Sequence, residues 1–561
     1  MNKKLFVLSL LVVLSLILSA CAGNTPAAPA ATNAPQATEP ASSAGGNATL
    51  RIGWSGKPDT LNPAYAFMSE SYTIFHLIYS TLTTQSTDGS YVGALAKDWS
   101  VSDDGLTWTY HLKDGVKWHN GEAFTADQIV WDINAIMKDP EGWATLSNYT
   151  AGFKEVTAPN AATVVIVTEY PIANMDYRTS FLYSFYPPDF EKFTNATDLQ
   201  NFANDAPIGT GAFMLKSFNK DTGVALLDAN KDYFDGAPKI AGLIFQTFDN
   251  SDAMIQALKA GDIDMLTSVP ASAFETVKGF ENVKTTSIDN SYFYELIVNT
   301  VDPNNDPKPT GNPALADPAV RLAIANSINK KDFVDIVFQG LAAPGDTIVA
   351  PSMGGGFWHN PNIKDIPFDI AEANRVLDEA GYVLGSDGVR TKGDLRLEFR
   401  LQFPSTLSVY ARMADMMANW FKEAGMKANP EAMDEDSLIA ATTAVGDYDL
   451  VLWSWEPDPD PDFILSVLTT VQFLEGGWSD SGYHNPEYDQ LYLDQQQLVD
   501  KTARQQAIWK MQELVFNDTP YIVLVYEDLL QAYRSDRFTG FIESLLGIES
   551  TQSLLNVESA Q

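Results

Sequence analysis

His111-Leu112-Lys113-Asp114-Gly115-Val116-Lys117-Trp118-His119-Asn120-Gly121, followed by Phe124-Thr125-Ala126-Asp127, is the stretch on which the reading of this chain turns. Its end marks a helix start. Thr125 stands at an N-cap position with Gln128 three residues on as its capping-box partner. Ile129, Ile133, Ile136 and Met137 then recur on one helical face. Downstream, Ala162 to Thr168 (ATVVIVT) has the β-branched composition of a strand. A helix set against a strand of this kind places the chain in an α/β or α+β class.

The same alternation runs outward in both directions. Thr49 to Trp54, Val224 to Leu227, Leu243 to Phe248, Tyr292 to Asn299, Leu395 to Phe403, Asp449 to Trp455 and Tyr521 to Val525 read as strands. Asp317-Pro318 predicts a helix running to Gly340, and Asp369 with Glu372 predicts a second capping box on a helix that stops at Gly381. A further helix is predicted from about Ser408 to Gly425. No repeat with a period of 20 to 50 residues is visible.

Cys21 is the only cysteine in 561 residues, so no intramolecular disulfide can form. Lys3 and Lys4 precede an apolar run, Leu5 to Leu18, and the small residues Ser19 and Ala20 lead into Cys21. These are the charged, apolar and cleavage regions of a secretory signal. The run is shorter than the roughly 20 residues that span a bilayer as a helix. Leu18-Ser19-Ala20-Cys21 resembles the lipobox of bacterial lipoproteins, which makes Cys21 the expected acylated first residue after a signal peptide over 1–20. Ala22 to Gly46 holds no large apolar side chain and reads as a flexible linker, partly extended by its prolines. The folded part is expected from Asn47, and its length suggests two to four domains at roughly 150 residues each.

A net charge of −36 makes nucleic acid an improbable partner, since such a chain repels phosphate backbones. The five histidines form neither HExxH nor a paired spacing, so zinc has no sequence support. There is no GxSxG elbow, and Gly209-Thr210-Gly211 lacks the remainder of a phosphate loop. No catalytic constellation, metal or cofactor is expected. One loop stands out instead: Trp453-Ser454-Trp455-Glu456-Pro457-Asp458-Pro459-Asp460-Pro461-Asp462-Phe463. Each proline holds the residue before it extended, so a stiff loop presents aromatic and acidic groups after a strand. Asp458, Asp460 and Asp462 match three positions of an EF-hand, but Phe463 replaces the required glycine and prolines fill the spacers, which argues against calcium. The loop reads either as a solvated turn beside two core tryptophans or as a ligand wall with a carboxylate anchor.

Taken in order, the opening stretch and several others resemble the extracytoplasmic solute-binding proteins of family 5 of ABC transporters, the oligopeptide- and dipeptide-binding type. They are Pro58 to Pro63 (PDTLNP), Leu95 to Trp99 (LAKDW), Ser102 to Trp108 (SDDGLTW), Pro207 to Phe213 (PIGTGAF), Ala260 to Asp264 (AGDID), Val320 to Ala323 (VRLA), Ala371 to Tyr382 (AEANRVLDEAGY) and Gly482 to Asp489 (GYHNPEYD). Ala212 stands where proline is usual.

The resemblance implies an α/β, two-lobed periplasmic-binding-protein-like fold (type II, cluster C) with an extra inserted domain and hinge strands. Mapped onto this chain, lobe I would be 47–92, 205–300 and 520–561, the insertion 93–204, and lobe II 301–519. Tyr292 to Asn299 and Thr519 to Tyr526 would cross between the lobes. The implied function is the substrate-binding component of an ABC importer. It would capture peptides between closing lobes and deliver them to permease and ATPase subunits. The protein would be a monomer outside the cytoplasm, lipid-anchored through Cys21 on the periplasmic or outer face of the membrane. In peptide-binding members an aspartate after the Trp-containing strand pairs with the peptide ammonium. That position is Glu456 by spacing or Asp458 by residue type. Trp453, Trp455, Trp54, Tyr292 and Tyr483 are the other expected ligand residues. An oligosaccharide receptor with a wide cleft lined by Trp54, Trp453, Trp455 and Tyr483 is the alternative. Nickel or haem binding and an enzyme on the same fold rank below both.

Overall fold

The computed structural model of the chain describes residues 48–301, 310–443, 446–474 and 477–560. Cys21 and the linker 22–46 lie outside the described residues.

Strand β1 (Thr49–Trp54) pairs in parallel with Gly242–Thr247 and with Met265–Leu266. It is the middle of a seven-stranded sheet drawn from three separate stretches of chain. The order is Val283–Ile288, Leu529–Arg534, Met265–Leu266, β1, Gly242–Thr247, Val224–Ala229, Phe213–Asn219. Asp264 ties these stretches together. Its buried carboxylate takes 2.9 Å contacts from Arg51 on β1 and a 2.7 Å contact from Arg537. Its backbone carbonyl accepts from the Arg534 N–H.

Helix α1 (Ser69–Ile78) buries Ile74, Phe75, Leu77 and Ile78 against this sheet's core. The GTG turn packs on its last residues. The Gly211 N–H donates to the Ile78 carbonyl at 2.8 Å. A Cβ on Gly209 would lie 1.9 Å from that same carbonyl oxygen, and one on Gly211 2.3 Å from the Leu77 oxygen. His119 clamps the turn from the other side. Its Nδ1 accepts from the Gly209 N–H at 3.2 Å, which leaves Nε2 to donate to the Gly211 carbonyl at 3.1 Å. Burial lowers the His119 pKa to about 4, so the imidazole stays neutral as this arrangement requires.

Thr125 and Gln128 form the expected capping box on α2 (Ala126–Lys138), with Ile129, Ile133 and Ile136 buried. This helix packs on a four-stranded antiparallel sheet made by Ala96–Val101, Thr107–Leu112, Thr163–Thr168 and Phe153–Asn160. Its Trp108, Tyr110, Val164 and Ile166 belong to the same apolar core as Leu50, Ile52 and Phe245 of the first sheet.

Strand β2 (Phe293–Val298) is buried at all six residues because it has neighbours on both edges and packing on both faces. It runs antiparallel to β3 (Leu450–Trp455) on one side, with Glu295 opposite Trp453 and Phe293 opposite Trp455. Helix α3 (Lys501–Asp518) then leads into β4 (Tyr521–Glu527), antiparallel to β2 on its other side. Glu398–Pro404, Lys427–Met433 and Ala342–Pro344 complete a six-stranded sheet. The two large sheets are joined by two short transitions, Asp289–Tyr292 ahead of β2 and Asp528 after β4. Arg321 caps the last turn of α3: its Nε donates to the Asp518 carbonyl at 2.8 Å, a favourable site for a cation at a helix C-terminus.

Three sequence expectations are corrected. The helix from Asp317-Pro318 does not run to Gly340. It stops at Asn326, Asn329 caps a new turn by accepting from the Asp332 N–H, and Phe333–Val337 is a π-turn. The restart lets Lys330 reach the Gly345 carbonyl and Asp365, at 2.7 and 2.5 Å. The strand over Leu395 to Phe403 divides at Leu397, its first part joining a small sheet with Arg390–Lys392. At Asp369 only half a capping box forms. Asp369 accepts from the Glu372 N–H, but the Glu372 carboxylate pairs with Arg375 instead.

Gly209→Ala is expected to destabilise the fold by roughly 1–3 kcal/mol through overpacking on a backbone carbonyl that cannot move aside. A thermal midpoint unchanged from the parent would contradict this reading of the turn.

Candidate functional site

The acid–aromatic loop begins where β3 leaves the second sheet. Alternation along the strand sends Ser454 to one face and Trp453 and Trp455 to the other. Ser454 lies 2.7 Å from both the Tyr292 and Tyr410 hydroxyls. The Trp455 Nε1–H donates to Glu295 Oε1 at 2.9 Å. The Trp455 ring meets Phe463 edge-on at 6.0 Å, and Phe463 meets the half-exposed Trp478 at 5.5 Å. The structure therefore brings Trp453 and Trp455 together and sets Tyr292 on the opposite face.

The four carboxylates of the loop divide into two pairs. Asp460, 3 % exposed, takes two 2.6 Å hydrogen bonds from Arg504 on α3. Arg504 also stacks on Trp358 at 4.8 Å and donates to Gln495, whose amide in turn donates to Asp462 at 2.6 Å. Asp460 and Asp462 are thereby structural. They fix the loop to α3 and do not present charge to a ligand.

Glu456 and Asp458 have no such partner among the described residues. Burial raises the Glu456 pKa, and Glu70 near the start of α1 adds like-charge repulsion. Burial pushes the Asp458 carboxyl up to about 6 against a hydrogen bond with the Tyr177 hydroxyl, with Asp460, Glu456 and Asp462 raising it further. Around Asp458 stand aromatic groups from distant parts of the chain. Tyr149 stacks on Phe181 at 5.0 Å and meets Tyr177 edge-on at 5.9 Å, and Tyr72 of α1 lies 6.4 Å from Phe181. Asp458 raises the pKa of Tyr72, Tyr149 and Tyr177, which places all three within its field. The arrangement is a recessed carboxylate, short of a counter-ion and walled by rings.

Two expected residues lie elsewhere. Trp54 is 3 % exposed, packs at 4.5 Å from Phe245 and donates its Nε1–H to Thr247, so it is core of the first sheet. Tyr483 is 5 % exposed and donates to Asp518 at 2.5 Å. Its segment pairs with Thr300 beside the start of β3, roughly 17 Å along the strand from Trp455 at about 3.4 Å per residue. The wide cleft lined jointly by Trp54, Trp453, Trp455 and Tyr483 is therefore not assembled. Glu70, Tyr72, Tyr149, Tyr177, Phe181 and Arg504 are the residues that sequence reasoning missed. They lie far from the loop in the chain, and no spacing links them to it.

Residues 90–472 match the family described as bacterial extracellular solute-binding proteins, family 5 Middle. The oligopeptide-binding protein AppA of Bacillus subtilis (strain 168) is 26% identical over 531 residues, 93% of each chain. Among solved structures, the ABC transporter substrate binding protein CtaP from Listeria monocytogenes superposes with a TM-score of 0.79 at 22% identity, covering 92% of this chain and 100% of its own. AppA from Bacillus subtilis in complex with a nonapeptide superposes with a TM-score of 0.69 at 20% identity, covering 92% and 99%. The two-lobed fold is shared throughout.

A raised carboxyl pKa has a consequence for stability. Between its ordinary value near 3.8 and about 6, Asp458 holds a proton in the folded chain that the unfolded chain has released. Folding stability therefore falls as pH rises through that window and stays lower above it. Asp458→Asn is expected to raise the thermal midpoint of the ligand-free protein at pH 8, by roughly 1–3 kcal/mol in stability. The gain should vanish near pH 4. A variant no more stable than the parent at pH 8 would show that Asp458 is well solvated.

Proposed function

Because the chain belongs to the bacterial extracellular solute-binding proteins of family 5, we propose that it captures peptides by their free amino terminus, with Asp458 as the ammonium anchor. The observation that carries this reading is the uncompensated, recessed Asp458 carboxylate at the exit of β3. An α-ammonium supplies the counter-ion that Arg504 gives to Asp460 and withholds from Asp458. Tyr177 stands beside the carboxylate, while Tyr149 and Trp455 wall the first residues of the ligand. Glu456 adds negative potential beside the anchor. The relative AppA, named for oligopeptide binding, supports the ligand class.

Capture then proceeds by closure. Lobe I (47–92, 205–288 and 529–561) with its insertion (93–204) closes on lobe II (293–527) about the transitions at Asp289–Tyr292 and Asp528, which moves β2 and β4, expected to cross between the lobes, wholly into lobe II. Closure excludes water from the ammonium–carboxylate pair and strengthens it, and the closed form is what a permease reads. The chain acts as a receptor and not as an enzyme. Glu456 and Asp458 are displaced in the same direction, whereas an acid–base pair needs opposed environments. Acylation at Cys21 would hold this monomeric receptor at the membrane, and the linker 22–46 would keep it within reach of its permease.

Calorimetric titration with a library of free peptides is expected to yield binding that Asp458→Asn weakens by roughly 3–5 kcal/mol. N-acetylated versions of the same peptides should lose a comparable amount. Affinity should fall as pH drops below about 6, where the anchor takes up its proton. Undiminished affinity for acetylated peptides would refute the ammonium anchor. Separately, Cys21→Ser should move the protein out of the membrane fraction and leave its peptide affinity unchanged; a Cys21→Ser protein still recovered with membranes would remove the lipid anchor from this account.

A further inference from the structure

Lobe II touches lobe I and its insertion at two places besides the covalent transitions, and both lead to the first turns of α3. One is the segment between helix Pro486–Gln495 and α3. The Gln496 carbonyl accepts from the Ala173 N–H of the insertion at 2.9 Å. Val499 packs on the apolar core that holds Trp108 and Ile166, and its Cγ2 lies 3.5 Å from where a Cβ on Gly105 would stand. Lys501 Nζ donates to Asp176 Oδ2 at 3.0 Å, while the Trp99 indole donates to Oδ1 at 2.9 Å.

The other place joins two turns. Strands Thr83–Gln85 and Tyr91–Gly93 of lobe I form a hairpin whose turn carries Asp88 and Gly89. This turn lies against Gly355 of lobe II. A Cβ on Gly355 would lie 2.2 Å from the Asp88 carbonyl oxygen, and one on Gly89 2.5 Å from the Gly355 nitrogen. The two backbones leave no room for a side chain at either position. Two residues on from Gly355, the Phe357 carbonyl accepts from Gln505 of α3 at 2.7 Å.

Arg504 stands between Lys501 and Gln505 and holds the anchor loop through Asp460. The start of α3 therefore grips the insertion, the turn facing lobe I and the anchor loop at once. Each contact across the lobes is weak alone, since an ion pair with an exposed lysine is screened by salt and a lone backbone bond replaces one to water. Weak contacts made and lost together suit a junction that opens. We propose that Gln496–Lys501 and the Gly355 turn form a clasp that sets the balance between closed and open lobes without touching the ligand. The clasp rests on the two-lobe closure described above and not on the ligand being a peptide.

Small-angle X-ray scattering of the unliganded chain reads this balance. Lys501→Glu turns attraction to Asp176 into repulsion, and an acid suits the first turn of a helix, so α3 itself is preserved. Gly355 has φ of +64°, which asparagine tolerates, so Gly355→Asn keeps its turn but sets a Cβ against the Asp88 carbonyl. Both variants are expected to show a larger radius of gyration than the parent at a little-changed thermal midpoint. Added salt should narrow the difference for Lys501→Glu, which is electrostatic, and leave that for Gly355→Asn, which is steric. One radius for the parent and both variants would overturn the proposal, as would a Lys501→Glu difference that persists undiminished in high salt. Either result would leave the peptide reading standing, since that is read from Asp458→Asn.

Discussion

A carboxylate removed from water without a counter-ion is unfavourable unless something else supplies the charge. That constraint organises the loop after β3. Arg504 reaches the loop from α3 and commits both terminal guanidinium nitrogens to Asp460, with its Nε taken up by Gln495. Prolines at 457, 459 and 461 hold the chain extended between the carboxylates, so Asp458 cannot turn back toward the same arginine. Asp458 is left facing Tyr177 and the rings around it. The ion pair between Arg504 and Asp460 is thus what allows a rigid loop to carry an unsatisfied charge.

The placement of that charge follows from the two sheets. β2 lies between β3 and β4 with every residue buried, and the two chain connections to the first sheet are short. Trp455 leaves β3 with its indole donating to Glu295 of β2, so the proposed ligand wall is anchored directly to a strand next to the transition between sheets. Glu295 is itself fully buried with Oε2 unpartnered among the described residues, and burial together with Asp480 raises its pKa strongly. The region joining the sheets therefore concentrates desolvated carboxyl groups. A molecule optimised only for stability would replace them with apolar side chains. Their presence where the lobes meet fits a protein whose ligand-free state is held above its lowest free energy.

Most of the fold was legible because the motifs that announce it are structural. The stretch around His119 and the GTG turn are distant in sequence but form one clamp. Asp264 of AGDID binds Arg51, and Arg321 of VRLA caps α3. Residue types at such positions are dictated by backbone geometry, so they stand out in a single chain. The break at Asn326 was not legible, because it depends on Lys330 finding Asp365 and the Gly345 carbonyl. The candidate site was legible only on one side. The loop carries its own signature in alternating proline and aspartate. Tyr72, Tyr149 and Tyr177 carry none, since each reads as an ordinary aromatic until the fold sets it against Asp458. Trp54 and Tyr483 misled for the converse reason: large aromatics fill cores more often than they line clefts.

The central claim is that Asp458 awaits a cation. The most direct measurement is calorimetric titration of a free peptide at pH 6 in buffers of different ionisation enthalpy. An ammonium placed against Asp458 lowers its pKa from about 6, so binding should release about half a proton, and the release should disappear in Asp458→Asn. Binding with no proton release, or with release that persists in the variant, would contradict the account.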